Sequence, residues 1–161
     1  MNLSDFKAQY TKMIEFIQAT ANAKIILTTL SCIGENLSSD LNDKRTEYNN
    51  AIRSVAKSYG CLLADVADEF ESVLEKSTQT NYLLNNFFDA VYFDKKASQK
   101  SDGPKTLSQK RSLILTIDGV HLNGNGANLY KIALENVINN DANNHGNLLI
   151  KKIVYKPGGD D

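Results

Sequence analysis

Asp118-Gly119-Val120-His121-Leu122-Asn123-Gly124-Asn125-Gly126 sets a carboxylate and an imidazole three residues apart, between an apolar run and an amphipathic segment. The run before it, Leu113-Ile114-Leu115-Thr116-Ile117, reads as a short buried strand or an extended approach to one. The Asn/Gly-rich stretch after it reads as the start of a helix. Asp118 and His121 are therefore expected on a loop at a strand end, where α/β proteins place their sites. A carboxylate there can accept the Nδ1 proton of the imidazole, fix its tautomer and leave Nε2 free to take a proton from a hydroxyl nucleophile. Asn123 is placed to cap the following helix, and Gly126 in its first turn has no Cβ to hold that helix away from its neighbours.

Working outward, the chain alternates helix and strand. Ser4 can cap a helix ending near Thr20, in which Phe6, Tyr10, Met13, Ile14 and Ile17 recur at three and four. Residues 24–30 are a continuous apolar and β-branched run, as in a strand covered on both faces. A second helix over 43–59 buries Tyr48, Ile52, Val55, Ala56 and Tyr59, and Gly60 is placed to end it in a left-handed conformation. Residues 61–65 form a short strand, and a third helix carries Val66, Phe70, Val73 and Leu74. Such alternation specifies a parallel sheet in an α/β fold. The last helix is expected over 127–138, followed by turn chemistry over 139–147, an extra strand within 148–155 and a frayed tail at 157–161.

Residues 77–112 break the rhythm. Tyr82, Phe87, Phe88, Tyr92 and Phe93 form an aromatic-rich patch, read as a satellite hydrophobic cluster or the lining of an acyl pocket. Residues 94–111 carry six basic side chains against two acidic ones and a Gly103-Pro104 break, and are expected to form a mobile loop.

The Asp-Gly-Val-His-Leu-Asn run resembles the last conserved block of the SGNH (GDSL) hydrolase family. Lys24-Ile25-Ile26-Leu27-Thr28-Thr29-Leu30, followed by Ile33-Gly34-Glu35-Asn36-Leu37, is similar to the family's fourth strand and the loop after it. Tyr48-Asn49 through Ala56, then Gly60-Cys61-Leu62-Leu63-Ala64-Asp65-Val66, is similar to the next helix and the fifth strand. The resemblance covers residues 1–75 and 113–138. It implies a three-layer α/β/α, flavodoxin-like fold with a parallel sheet, incomplete at its N-terminus. The partial domain would span 1–140 with an insertion at 77–112, and 141–161 would be a C-terminal extension. It also implies hydrolysis of acyl esters through a Ser-His-Asp triad in which His121 and Asp118 are catalytic, with no cofactor. No Gly-Asp-Ser occurs in the chain, and no Gly-x-Asn-Asp that would form an oxyanion hole. The expectation is therefore a C-terminal part of such an enzyme, inactive alone, its serine supplied by a preceding region. The alternative is a truncated, non-catalytic relative acting as an interaction or structural module. An unpaired sheet edge would then favour self-association.

Composition narrows the classes. With 18 basic and 19 acidic residues among 161, the net charge of −1 points to neither nucleic acid nor an anionic membrane. No apolar run approaches the roughly 20 residues of a membrane span, and Met1-Asn2-Leu3-Ser4-Asp5 has no signal-peptide pattern. Cys32 and Cys61 fall at opposite ends of neighbouring parallel strands, roughly 15–20 Å apart, and are expected to be free thiols, which fits a reducing, cytoplasmic setting. No His or Cys pair has zinc-type spacing. His145 reads as a turn residue and Glu35 as a solvated loop carboxylate in preference to a pocket residue. Ser31 is a remote candidate nucleophile, because no glycine elbow surrounds it.

Overall fold

The computed structural model describes residues 2–84, 88, 92 and 94–145. Two parallel strands form its centre. Strand β1 (Ile26–Thr28) pairs with β2 (Leu62–Ala64), with Ile26 opposite Leu62, Leu27 opposite Leu63 and Thr28 opposite Ala64. Helix α2 (Asp40–Tyr59) is the crossover that a parallel pair requires. Successive strand residues point to opposite faces, so this small sheet serves two cores. Leu27 and Leu63 face α1 (Leu3–Thr20) and α2, packing with Ile14, Ile52, Val55 and Ala56. Ile26 and Ala64 face α3 (Val66–Leu74) and α6 (Gly124–His145), packing with Phe70, Leu74, Leu115 and Ala133. The architecture is thus α/β in three layers with a parallel sheet, as the alternation predicts. Among the described residues the sheet has two strands and six helices surround it.

The caps explain where the elements begin. Asn2, not Ser4, caps α1, its side chain accepting from the Asp5 N–H at 2.8 Å. Ser39 caps α2, whose first residue Asp40 lies three before the expected start, and Gly60 ends it in the left-handed region at φ 63°, ψ 27°. Asp65 closes β2 and caps α3, and it also binds the Thr29 hydroxyl at 2.9 Å and the Arg53 guanidinium at 2.7 and 2.8 Å. Burial raises the Asp65 carboxyl, but the hydrogen bonds and charge of Arg53, with Thr29, outweigh it and hold the pKa below the usual carboxylate range.

Three expectations are corrected. Residues 94–111 are not a structureless loop, for they contain α4 (Lys95–Ser98) and α5 (Gly103–Lys110), with Pro104 in the first turn of α5. Arg111 organises them: it grips Asp94 with two hydrogen bonds of 3.0 and 2.6 Å, donates to the Ile117 carbonyl at 2.9 Å and lies 4.8 Å over the Tyr82 ring. Residues 113–117, read as a short strand or an extended approach to one, form no strand beyond the single bridge of Thr116 to Leu122, because a side chain takes the N–H groups that a neighbouring strand would otherwise engage. The last helix starts at Gly124 and continues to His145, through residues read as turn chemistry and past residue 140. Asn and Asp disfavour a helix by less than about 1 kcal/mol each, and Asp141 is held by an ion pair to Lys24. The extra strand expected within 148–155 and the tail lie outside the described residues, as do Phe87 and Phe93.

Candidate active site

Residues 115–123 fold back on themselves in a tight antiparallel turn. Thr116 bridges Leu122, the Ile117 N–H donates to the His121 carbonyl at 2.8 Å, and the Asn123 N–H donates to the Leu115 carbonyl at 3.0 Å. Asp118 and His121 occupy the tip. Asp118 Oδ1 accepts the N–H groups of Val120 and His121 at 2.9 and 2.7 Å, and Oδ2 lies 2.7 Å from His121 Nδ1. Burial raises the Asp118 carboxyl, but the backbone and ring hydrogen bonds of His121, with the Val120 N–H, outweigh it and hold the pKa below the usual range. An ionised carboxylate can only accept, so Nδ1 carries the proton and Nε2 presents its lone pair outward. The Asp118 side chain is 4% exposed and that of His121 69% exposed.

The turn is fixed from its buried side. Glu35 is 1% exposed, which corrects its reading as a solvated carboxylate. Its Oε2 accepts the Ile114 N–H at 2.7 Å, and its Oε1 accepts the Leu115 N–H at 2.9 Å and both the Thr116 N–H and hydroxyl at 2.7 Å. Next to it the Gly34 N–H donates to the Gly119 carbonyl at 2.6 Å, and the Leu84 N–H donates to the Asp118 carbonyl at 2.8 Å. Gly119 sits at φ 87°, and a Cβ there would lie 2.9 Å from Leu83 Cδ1 and 3.0 Å from the Tyr82 carbonyl oxygen. Only glycine suits both constraints.

Asn123 caps α6 as expected, its Oδ1 accepting from Asn125 and Gly126 at 2.9 and 3.1 Å. Its Nδ2 also donates to the carbonyls of Ile114 and Thr116 and to the Ser108 hydroxyl, a second role that the sequence did not reveal. A Cβ on Gly126 would fall 2.2 Å from the Leu115 carbonyl oxygen, so its absence lets α6 reach the turn.

A cavity of about 280 Å³ opens beside the His121 ring, lined by Asp94, Lys95, Pro104, Leu107, Ile117 and His121. Segment 94–111 thereby forms one wall of the site. A cavity of about 470 Å³ lies at the start of α6, against Ser101, Lys105 and Gln109. Phe88 and Tyr92 stack at 5.4 Å and are largely exposed, and neither is among the residues that line the space beside His121. Ser31 is half-buried beyond β1 and makes no hydrogen bond to His121. His145 is in the last turn of α6. Cys32 and Cys61 are free thiols, and burial together with the charge of Glu35 pushes the Cys32 thiol up to about 12. Among the described residues no group of three His, Cys, Asp or Glu side chains could hold a metal ion, and no helix is long and apolar enough to cross a membrane.

Three solved structures give the comparison. An α/β hydrolase enzyme from the metagenome of Lake Arreo, Spain, superimposes with a TM-score of 0.58 at 17% identity, covering 86% of this chain and 48% of its own. An acetylxylan esterase from Geobacillus stearothermophilus gives 0.56 at 17% identity, covering 85% and 47%. The acetyl xylan esterase AlAXEase gives 0.52 at 23% identity, covering 83% and 53%. The chain shares their fold. It spans about half the length of these structures. No family model and no curated protein sequence matches it.

Proposed function

We propose that these residues are the acid–base portion of an SGNH-type serine ester hydrolase. The observation that carries the reading is the Asp118–His121 pair: one ring nitrogen tied at 2.7 Å to a buried carboxylate, the other directed outward beside a cavity. In this reading a serine in a Gly-Asp-Ser segment outside the 161 residues attacks the acyl carbon. His121 Nε2 takes the hydroxyl proton as the tetrahedral species forms and returns it to the departing alkoxide. It then draws a proton from water to release the acid and restore the serine. Asp118 stabilises the imidazolium through both steps. The substrate class is an acyl ester. Two of the three compared structures are named as acetylxylan esterases, which makes an acetylated carbohydrate the first substrate to try.

The test compares lengths and side chains. The 161 residues alone should not cleave nitrophenyl acetate above background, having neither Gly-Asp-Ser nor Gly-x-Asn-Asp. A longer chain carrying both ahead of residue 1 should turn over. In it His121→Ala should lower kcat roughly 10³-fold or more, and Asp118→Asn at least about 10-fold. A folded His121→Ala enzyme with near-normal kcat overturns the assignment. So does phosphonate-sensitive turnover by the purified 161 residues, which would point to an internal serine such as Ser31.

A further inference from the structure

The His121 ring is largely exposed and, among the described residues, has one hydrogen-bond anchor, so its orientation is only as definite as that of Asp118. Asp118 in turn is only as definite as the turn that carries it. Three successive N–H groups, from Ile114, Leu115 and Thr116, converge on the Glu35 carboxylate at 2.7 to 2.9 Å. Such a concave run of donors is an anion-binding arrangement, and here the anion is a side chain of the same molecule. We propose that Glu35 is a positioning residue for the Asp118–His121 pair, clamping residues 114–116 so that the turn presents Nε2 in one orientation. This inference rests on reading the pair as a hydrolase base.

The connection can be followed atom by atom. The Thr116 hydroxyl donates to Glu35 Oε1 at 2.7 Å and accepts the Gly119 N–H at 3.1 Å, linking the clamp to the residue after Asp118. Glu35 is itself held rigidly. Asn42, buried in α2, accepts the Ile33 N–H at 3.0 Å and donates to the carbonyls of Ile33, Gly34 and Asn36 at 3.0, 3.3 and 2.8 Å. Hydrogen bonds, joined through the backbone of residues 33–36, thus connect the core helix to the tip of the turn. Glu35 touches none of the reacting atoms. A displacement of about 1 Å from productive geometry can nonetheless cost up to about 10²-fold in rate.

Two variants separate positioning from mere folding. Glu35→Gln keeps Oε1 and its three donors but sets an NH₂ group against the Ile114 N–H, donor facing donor. Thr116→Val keeps the carboxylate and the backbone bonds and deletes only the hydroxyl relay. In the 161-residue protein, long-range ¹H–¹⁵N spectra of the neutral imidazole at about pH 8 read the ring tautomer directly, with His145 as the internal control. The wild type should show His121 protonated at Nδ1. Both variants, folded by circular dichroism, should show His121 as a mixture of tautomers with His145 unchanged. In the longer, active chain the same variants should lose at least about 10-fold in kcat with KM within about twofold. Folded variants that keep the wild-type tautomer overturn the role of Glu35. If His121→Ala leaves kcat untouched in the longer chain, the hydrolase reading fails, and the tautomer measurement still decides on Glu35.

Discussion

Asp118 does two jobs with one carboxylate: Oδ1 closes the turn through two N–H groups while Oδ2 orients the imidazole. Its depressed pKa ties both jobs to pH, and Asp65, gripped by Arg53 at the end of β2, responds in the same direction. For a carboxyl whose folded pKa lies below its unfolded value of about 3.9, the stabilisation is fully present above that value and is lost as pH falls through the folded pKa. Urea midpoints should therefore hold steady from about pH 7 to pH 5 and fall below about pH 4, with Asp118→Asn giving a shallower acid decline. An acid profile identical in wild type and Asp118→Asn would show that the Asp118 bonds carry no net stabilisation. The Asp118–His121 pair was legible in the sequence because its chemistry is local, two side chains three residues apart in a Gly-punctuated turn. Glu35 was not, because its donors lie 79 to 81 residues away and nothing near it in sequence marks it as buried.

Helices α2 and α3 and the positions of both strands followed from short-range signals: periodic apolar runs, Gly60 ending the first of them, and the apolar stretches at 24–30 and 61–65; the caps Ser39 and Asp65 emerged only from the structure. Segment 94–111 did not, since a lysine-rich stretch with a Gly-Pro break has the composition of a solvated loop. What orders it is Arg111 meeting Asp94, 17 residues apart, and the Ser108 hydroxyl donating to the Thr116 carbonyl at 2.8 Å. A half-buried, bidentate guanidinium–carboxylate pair is stronger than an exposed one. Losing about 1–2 kcal/mol of local stability raises the open population by a factor of roughly 5–30. Arg111→Ala should accordingly speed tryptic cleavage at Lys95, Lys96 and Lys100 by about that factor, with the rest of the chain cut at the wild-type rate. Equal digestion of the two proteins would mean that α4 and α5 stand without the Arg111 grip. The same segment walls the cavity at His121, so loosening it should also raise KM for ester in the longer chain.

At the scale of the whole molecule, a strand edge and a helix face stand open among the described residues. The described sheet has two strands, and β1 carries β2 on one side, leaving its other edge without a strand partner among the described residues. On α1, Met13 and Phe16 are three apart, hence on one face of the helix, and both are exposed, Phe16 by 68%. An open strand edge and exposed apolar side chains each gain by pairing with a second copy. The 161-residue protein should therefore self-associate reversibly, its weight-average sedimentation coefficient rising with concentration. Phe16→Glu discriminates between the two surfaces: a fall in association assigns the contact to the α1 face, and unchanged association assigns it to the β1 edge. A monomer at every concentration, with a cooperative melt above about 60 °C, would count against the prediction, since ordinary domains melt at about 45–65 °C without needing a partner.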